Sequence, residues 1–241
     1  MSAEINSTAK EGLIKKLFEL GAHFGYSKSR SHPSTGRYIY GWKNRQAILN
    51  LEKTAEGLER AAAYLASVGA EGKTVLFVGN KDEARLAVAA AAESLGMPYV
   101  INRWLGGTFT NFSQIRTRIN RLTELKDQRE RGELAKYTKK ERLLIDREIA
   151  KLERFFGSLV GLEKLPAAVV VIDPRHEQIA VSEATQLKIP VVALANSDCN
   201  VRGVAYPIVG NDGSTATIKY VLAELASAYE RGRVKPEATV A

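Results

Sequence analysis

Four pairs of polar residues stand where buried strands should end: Asn80 and Asp82, Asn102 and Arg103, Asp173 and His176, Asn196 and Asp198. Open α/β sheets bind ligands at the carboxyl ends of their parallel strands, so an enzyme would assemble acid–base or nucleophilic chemistry from these groups. The set is incomplete. Gly79-Asn80-Lys81 matches neither G-x-G-x-x-G nor a P-loop, and Gly106-Gly107 is followed by Thr108, with no lysine reaching for a phosphate. Asp173 precedes Pro174 at an expected helix start, where a carboxylate caps free N–H groups and meets the helix dipole. His176 lies one turn further on with no nucleophile placed for it, and Cys199, in NSDCNVRG, has no histidine near it in sequence. The run VGNDGST, residues 209–215, precedes a helix; it suits an anion at that helix end, but capping by Asp212 or Ser214 is the preferred reading.

Metal and redox chemistry find still less. A single cysteine forms no internal disulfide, and with three histidines (His23, His32, His176) no zinc-ligand spacing occurs, so neither a structural metal nor a cofactor is expected. No apolar stretch approaches the roughly 20 residues that span a bilayer, and the opening MSAEINSTAKEG lacks a signal peptide's apolar run. A cytoplasmic protein without a membrane partner or a small-molecule substrate is expected.

Charge is more informative. The 241 residues carry a net +8, distributed unevenly. Residues 1–54 hold 9 Lys/Arg against 4 Asp/Glu, residues 102–160 hold 14 against 8, and the remainder holds 12 against 15. In the first segment cations interleave with aromatics: His23, Phe24, Tyr26, Lys28, Arg30, Arg37, Tyr38, Tyr40, Trp42, Lys43 and Arg45. Phosphate neutralisation and base stacking call for that combination. In the second segment Arg116, Arg118, Arg121, Lys139 and Lys140 belong to a cationic excess that a neutral pair of helices would balance with acids.

The elements that must position these residues follow from periodicity. Residues 1–10 read as a loose terminus, and a short helix is expected from Glu11 to Leu20, ending at Gly21. Arg37 to Leu51 suits short extended pieces around Gly41. A helix bearing Leu58, Ala61, Ala62, Leu65 and Val68 comes next, closed by Gly69 and Gly72. Thr74–Val78, a run from Pro98, Ala168–Ile172 and Pro190–Leu194 are uninterrupted β-branched runs, as in strands covered on both faces. Helices follow with Ala84, Val88, Ala91 and Leu95; from near Pro174 with Ile179, Ala184 and Leu187; and from about Thr215 to Tyr229. Strand–helix alternation predicts a Rossmann-like, doubly wound parallel sheet.

Residues 111–156 break the rhythm. Phe112, Ile115, Ile119, Leu122 and Leu125, then Ile145, Ile149, Leu152 and Phe156, step by threes and fours, and Thr138 with Glu141 forms a capping box. An inserted antiparallel helical hairpin of coiled-coil type is expected, its arms nearly 30 Å long at about 1.5 Å per residue, projecting from the body. The predicted organisation is an α/β core of residues 1–110 and 157–233, the hairpin 111–156, and a flexible tail 234–241.

Several long motifs then stand in order: G-A-H-F-G (Gly21 to Gly25), I-x-G-W-K-N…I-L-N-L-E-K-T (Ile39 to Thr54), L-F-V-G-N-K (Leu76 to Lys81), N-R-W-L-G-G-x-x-T-N (Asn102 to Asn111) and V-I-D-P-R-H-E (Val171 to Glu177). Together, from about Leu13 to Arg233, the chain resembles the ribosomal protein S-two family of the bacterial small subunit. Relatives commonly carry His or Gln at Tyr26, and Pro-Asp where Cys199 to Arg202 stand here. The resemblance implies a structural, non-catalytic protein that contacts small-subunit ribosomal RNA and neighbouring proteins and supports docking of ribosomal protein S-one. Candidate RNA contacts are then His23, Phe24, Tyr26, Lys28, Arg30, Arg37, Lys43, Arg45, Arg103, Arg116, Arg118, Arg121, Lys139 and Lys140. A nucleotide- or phosphosugar-dependent enzyme using the strand ends, and an adaptor whose hairpin captures a partner helix, are the alternatives.

Overall fold

The computed structural model describes residues 2–234, with side chains described from residue 10 onward except Ala135. The first element is a helix, α1 (Ser2–Glu19), not a loose terminus followed by a short helix; it begins nine residues before the expected Glu11. Its apolar residues Leu13, Ile14 and Leu17 pack with Ala22, Ala55 and Tyr220, so tertiary burial carries a helix whose opening sequence is polar.

The pieces around Gly41 form more than a hairpin. β1 (Phe24–Ser27), β2 (Ile39–Lys43) and β3 (Gln46–Leu49) make a three-stranded antiparallel sheet in the order β1-β3-β2. The turn between β2 and β3 is two residues, Asn44 (φ 50°) and Arg45 (φ 65°), both in the left-handed region that tight hairpins require. Asn50 then caps α2 (Leu51–Ala70) by accepting from Glu52 N and Lys53 N.

β4 (Val75–Val78), α3 (Asp82–Leu95) and the short β5 (Tyr99–Val100) follow. Two paired helices come next, α4 (Phe112–Glu130) and α5 (Lys139–Phe156). Then come β6 (Ala168–Ile172), α6 (Gln178–Gln186), β7 (Val191–Ala195), β8 (Tyr206–Val209) and α7 (Thr215–Val234). The second sheet is wholly parallel, in the order β5-β4-β6-β7-β8. Its last strand carries a proline and follows the SDCNVRG loop, and periodicity did not single it out.

Both sheet faces are covered, as unbroken β-branched runs require. Val75, Phe77, Val170, Ile172, Val192 and Leu194 face α2, α3 and α7. Leu76, Val78, Val169, Val171, Val191 and Ala193 face α6, the loop around Trp104 and Phe109, and the base of α4 and α5. Against expectation α6 starts at Gln178, after a turn over Pro174–Glu177. It buries Ala180, Glu183 and Ala184, and leaves Ile179 and Leu187 exposed.

Gly69 does not stop α2. It lies inside the helix where α2 meets α7: a Cβ on Gly69 would sit 2.2 Å from Tyr229 O, and one on Gly232 2.0 Å from Ala66 O. Only hydrogen at those positions lets the two backbones approach so closely.

α4 and α5 pack on each other and on the single 3-10 turns at either end, residues 133–136 and 157–159. Their buried seam, Ile119, Leu122, Leu125 and Ile149, is continuous through Phe156, Leu159 and Leu162 with the sheet-facing cluster, so it is not satisfied within the pair alone. Val234 ends α7 and is not tail; the rest of the predicted tail, residues 235–241, lies outside the described residues.

Candidate nucleic-acid interface

The small antiparallel sheet gathers most of the N-terminal candidates. Phe24, Lys28, Arg30, Arg37, Lys43 and Arg45 are exposed on it or beside it, with Tyr40 and Trp42. Lys28 N donates to Arg45 O at 3.1 Å, which brings those two cations to one corner. Arg37 lies over the Tyr38 ring, its guanidinium carbon 4.9 Å from the centroid, and Lys53 Nζ donates to its carbonyl. Among the described residues none of Lys28, Arg30, Arg37, Lys43 and Arg45 stands in an ion pair.

This sheet is fastened by residues some 170 positions later. Ser197 is fully buried; its Oγ accepts from Tyr26 N (2.8 Å), and its carbonyl accepts from His32 N (2.8 Å) and Thr35 Oγ1 (2.7 Å). Asn211 N donates to Ala22 O and its Nδ2 to Gly21 O. A Cβ on Gly25 would meet Ala47 Cβ at 2.9 Å and Ser197 Oγ at 3.1 Å, which is why the G-A-H-F-G motif ends in glycine.

Two N-terminal candidates are less available than their types suggested. His23 is half-buried between the rings of Phe18 and Phe24, its Nδ1 has no partner, and burial lowers its pKa, so it is a neutral packing ring. Tyr26 is half-buried, its OH 3.3 Å from Lys81 Nζ, with Arg30 beside its ring at 5.8 Å. It faces inward as much as outward.

The other candidates fall elsewhere. Arg103 is exposed after β5. Arg118 is exposed, Arg121 pairs with Glu148 at 3.6 Å, and Lys139 and Lys140 stand exposed at the start of α5. Cations at a helix N-terminus oppose its dipole, so the Thr138–Glu141 capping box must hold that end against them. Arg116 is half-buried, and its Nη1 donates to Val160 O and Leu162 O, both at 3.2 Å, tying α4 to the chain beyond α5. Arg116→Gln should therefore cost about 1.5 kcal/mol, the scale of a charge-assisted hydrogen bond. Arg118→Gln should stay within about 0.5 kcal/mol. Urea titrations of the two variants give the comparison, and equal effects would place Arg116 with the exposed cations.

The strand ends hold a buried polar cluster. Lys81 Nζ lies 3.0 Å from Asp212 Oδ2 and 3.4 Å from Asp173 Oδ2, besides the Tyr26 hydroxyl. Burial works against the lysine's charge, but the two carboxylates outweigh it and raise its pKa. Asp212, fully buried, is pushed up to about 6 by burial and by the charge of Asp173; its Oδ1 accepts from Asn196 Nδ2. So Asp212 does not cap α7; Ser214 does, accepting from Thr217 N. Asp173, at φ 59°, accepts from Arg175 N and His176 N and so caps the turn before α6. His176 Nδ1 meets Glu177 Oε1 at 2.8 Å, and Cys199 is fully buried with its thiol pKa raised by burial and by nearby Asp173, which leaves it unreactive. Among the described residues no group of three or more His, Cys, Asp or Glu is placed to hold a metal ion, and no helix is long and apolar enough to cross a membrane.

The Gly106-Gly107 loop does cradle an anion, but an internal one. Glu183, 7% exposed, accepts from Gly107 N (2.7 Å), Phe109 N (2.9 Å), Thr110 N (3.2 Å), Thr110 Oγ1 and Trp104 Nε1. Burial disfavours its charge, but these donors outweigh it and hold its pKa below the usual carboxylate range. Trp104 is thereby a packing anchor, edge-on to Phe109 at 4.9 Å. Glu183 carried no sequence signal, because its partners are mostly backbone N–H groups.

Comparison with known proteins agrees with this geometry. The family model for ribosomal protein S2 matches residues 17–232. The small ribosomal subunit protein uS2 of Chloroflexus aurantiacus (strain ATCC 29366 / DSM 635 / J-10-fl) is 40% identical over 224 residues, covering 93% of this chain and 94% of that one. Its namesakes in Roseiflexus sp. (strain RS-1) and Dehalococcoides mccartyi (strain CBDB1) are also 40% identical, over 224 and 215 residues, covering 93% and 89% of this chain and 86% and 88% of theirs. With a parallel sheet of the expected kind, a packed helix pair after β5 and the five motifs in order, the chain belongs to the ribosomal protein S2 family.

Proposed function

We propose that this chain is a structural constituent of the small ribosomal subunit that holds folded ribosomal RNA by charge and shape. The observation that carries the reading is the small antiparallel sheet, where exposed cations that have no acidic partner among the described residues stand beside exposed aromatics. A stable surface keeps such charge unneutralised when a polyanion supplies the counter-charge. The family is structural and the chain is not an enzyme. Its site of action is the cytoplasm, where the small subunit works. The second contact is the unit 111–156, inserted in a core of residues 1–110 and 157–233, with Arg118, Arg121, Lys139 and Lys140 reaching RNA beyond the core's footprint. Neighbouring small-subunit proteins are further partners, ribosomal protein S-one among them, on the strength of the family resemblance.

Sedimentation of the tagged protein through a sucrose gradient should place it with small subunits; a free pool alone defeats the proposal. In solution, affinity for small-subunit RNA should fall linearly on a log–log plot against salt, and Arg30→Gln with Arg45→Gln should flatten that slope by about 2. An unchanged slope removes these two arginines from the interface.

A further inference from the structure

The parallel sheet has a topological switch point: from β4 the chain goes to β5 on one side, and β6 returns on the other. Crevices at such points, outside the carboxyl ends of the strands, are where open α/β sheets take ligands. Here the crevice is a cavity of about 440 Å³ bounded by residues following β4, β5 and β6, within the 300–1,000 Å³ range of small-ligand pockets.

Its chemistry is that of a neutral, planar, hydrogen-bonding guest. Three cations, Lys81, Arg85 and Arg103, face three acids, Asp82, Glu83 and Glu177. Lys81 is spent on Asp212, and Arg85 on Asp82 (3.0 Å) and Asn80 O (2.9 Å). No positive excess remains for a phosphate. Arg103 is exposed, the His176 side chain is 54% exposed and Ile179 contributes an exposed apolar edge, so the rim offers a guanidinium plane, an imidazole and a methyl-bearing wall. Those are surfaces on which unstacked bases lie.

Asn80 supplies the second, independent observation. It lines the cavity, is 8% exposed, and donates to the buried Glu177 through both its backbone N (3.1 Å) and its Nδ2 (2.8 Å). Those two bonds fix the amide's orientation and leave Oδ1 buried with no partner. A buried acceptor left unmet is a standing cost that a native structure has to explain. Every nucleobase carries an N–H or NH2 donor on its pairing edge.

We propose that this cavity takes a single extrahelical base of the bound RNA, with Asn80 Oδ1 accepting from the base edge and Arg103 and His176 flanking its faces. The proposal rests on the RNA-binding reading and deepens it by naming what the core, as distinct from the basic sheet, recognises. The affinity of the basic sheet is indifferent to sequence; this contact requires an unpaired nucleotide.

The test uses the full chain and two arms. In the first, uncharged adenosine, cytidine, guanosine and uridine are titrated singly, with inorganic phosphate as control, while the backbone amides of Asn80, Arg103 and His176 are followed by NMR. Saturable shifts with at least one nucleoside, weakened about tenfold by Arg103→Gln, are expected. In the second, an RNA hairpin with one bulged nucleotide is compared with its fully paired counterpart. A preference for the bulge of about tenfold, abolished in a folded Asn80→Ser variant, is expected. If phosphate alone moves the cavity amides, the site is an anion site and the proposal fails. If the chain binds both hairpins equally with the usual salt slope, the base pocket fails and the RNA reading stands. If neither hairpin nor small-subunit RNA binds, the RNA reading has failed, and a nucleoside response in the first arm then assigns the cavity to free nucleosides instead.

Discussion

Glu183→Ala should lower the stability of the chain by about 3 kcal/mol, because one buried and two partly buried backbone N–H groups lose their acceptor at once and each unmet donor costs about 1–3 kcal/mol when buried, less where water can reach it. For a protein of this size that is a fall of about 10 °C in melting temperature. Glu183→Gln should restore little, since its amide turns an NH2 toward N–H donors on one side of the cradle. The pH dependence distinguishes this from a packing loss. The folded-state carboxyl is depressed by the N–H groups of Phe109, Gly107 and Thr110 acting against burial, so its contribution is fully present above the ordinary carboxylate pKa and disappears as pH falls through the folded value. The gap between wild type and Glu183→Ala should therefore close as pH falls into strong acid and stand fully open above pH about 4.5. Circular dichroism melts across that range make the measurement, and a deficit below 1 kcal/mol at neutral pH would mean the loop holds itself without the glutamate.

Lys81→Met should cost about 3 kcal/mol, the low end for stripping one partner from a buried pair, since the lysine keeps 18% of its side chain in solvent. The variant keeps the volume and leaves Asp173 and Asp212 facing each other without a cation. The sign of its pH dependence follows. A carboxyl whose folded pKa is raised contributes stability that is present below its unfolded value and lost as pH rises through the folded one. Asp212 already stands at about 6 with the lysine present, raised by burial and by Asp173, so without it the loss must extend above that. Urea titrations should find Lys81→Met weaker at pH 8 than at pH 5, and Lys81→Met with Asp212→Asn should recover much of the difference. Equal stability at both pH values would mean that the carboxylates find another cation. Loss of the Lys81 bond to Tyr26 should also loosen the small sheet, visible as faster amide exchange at Tyr26.

The core was legible in the sequence where burial acts on both faces of a strand. AVVVI and the VVAL that follows Pro190 announce themselves because no position in them meets water. YPIV did not, since a four-residue run containing proline has too little pattern to separate from loop. That Lys28, Arg30, Lys43 and Arg45 stand exposed was legible, because charge interleaved with aromatics is visible without knowledge of contacts. The roles of Glu183, Arg116 and Tyr26 were not: each is defined by a partner 40 to 80 positions away, and for Glu183 and Arg116 mostly by backbone atoms that every residue carries. The packing of the candidate His23 between two rings was not legible, because histidine's type does not reveal whether its neighbours are rings or water.

The fastening of the small sheet by Ser197 and Asn211 bears on the order of synthesis. The groups that hold the cationic strands are made some 170 residues after them, and the α2–α7 crossing at Gly69 and Gly232 closes later still. A chain released early thus carries the charge without the frame that aligns it. On the proposed RNA-binding reading, prematurely terminated products should compete poorly with the full chain, because the frame of that surface is made after its charges.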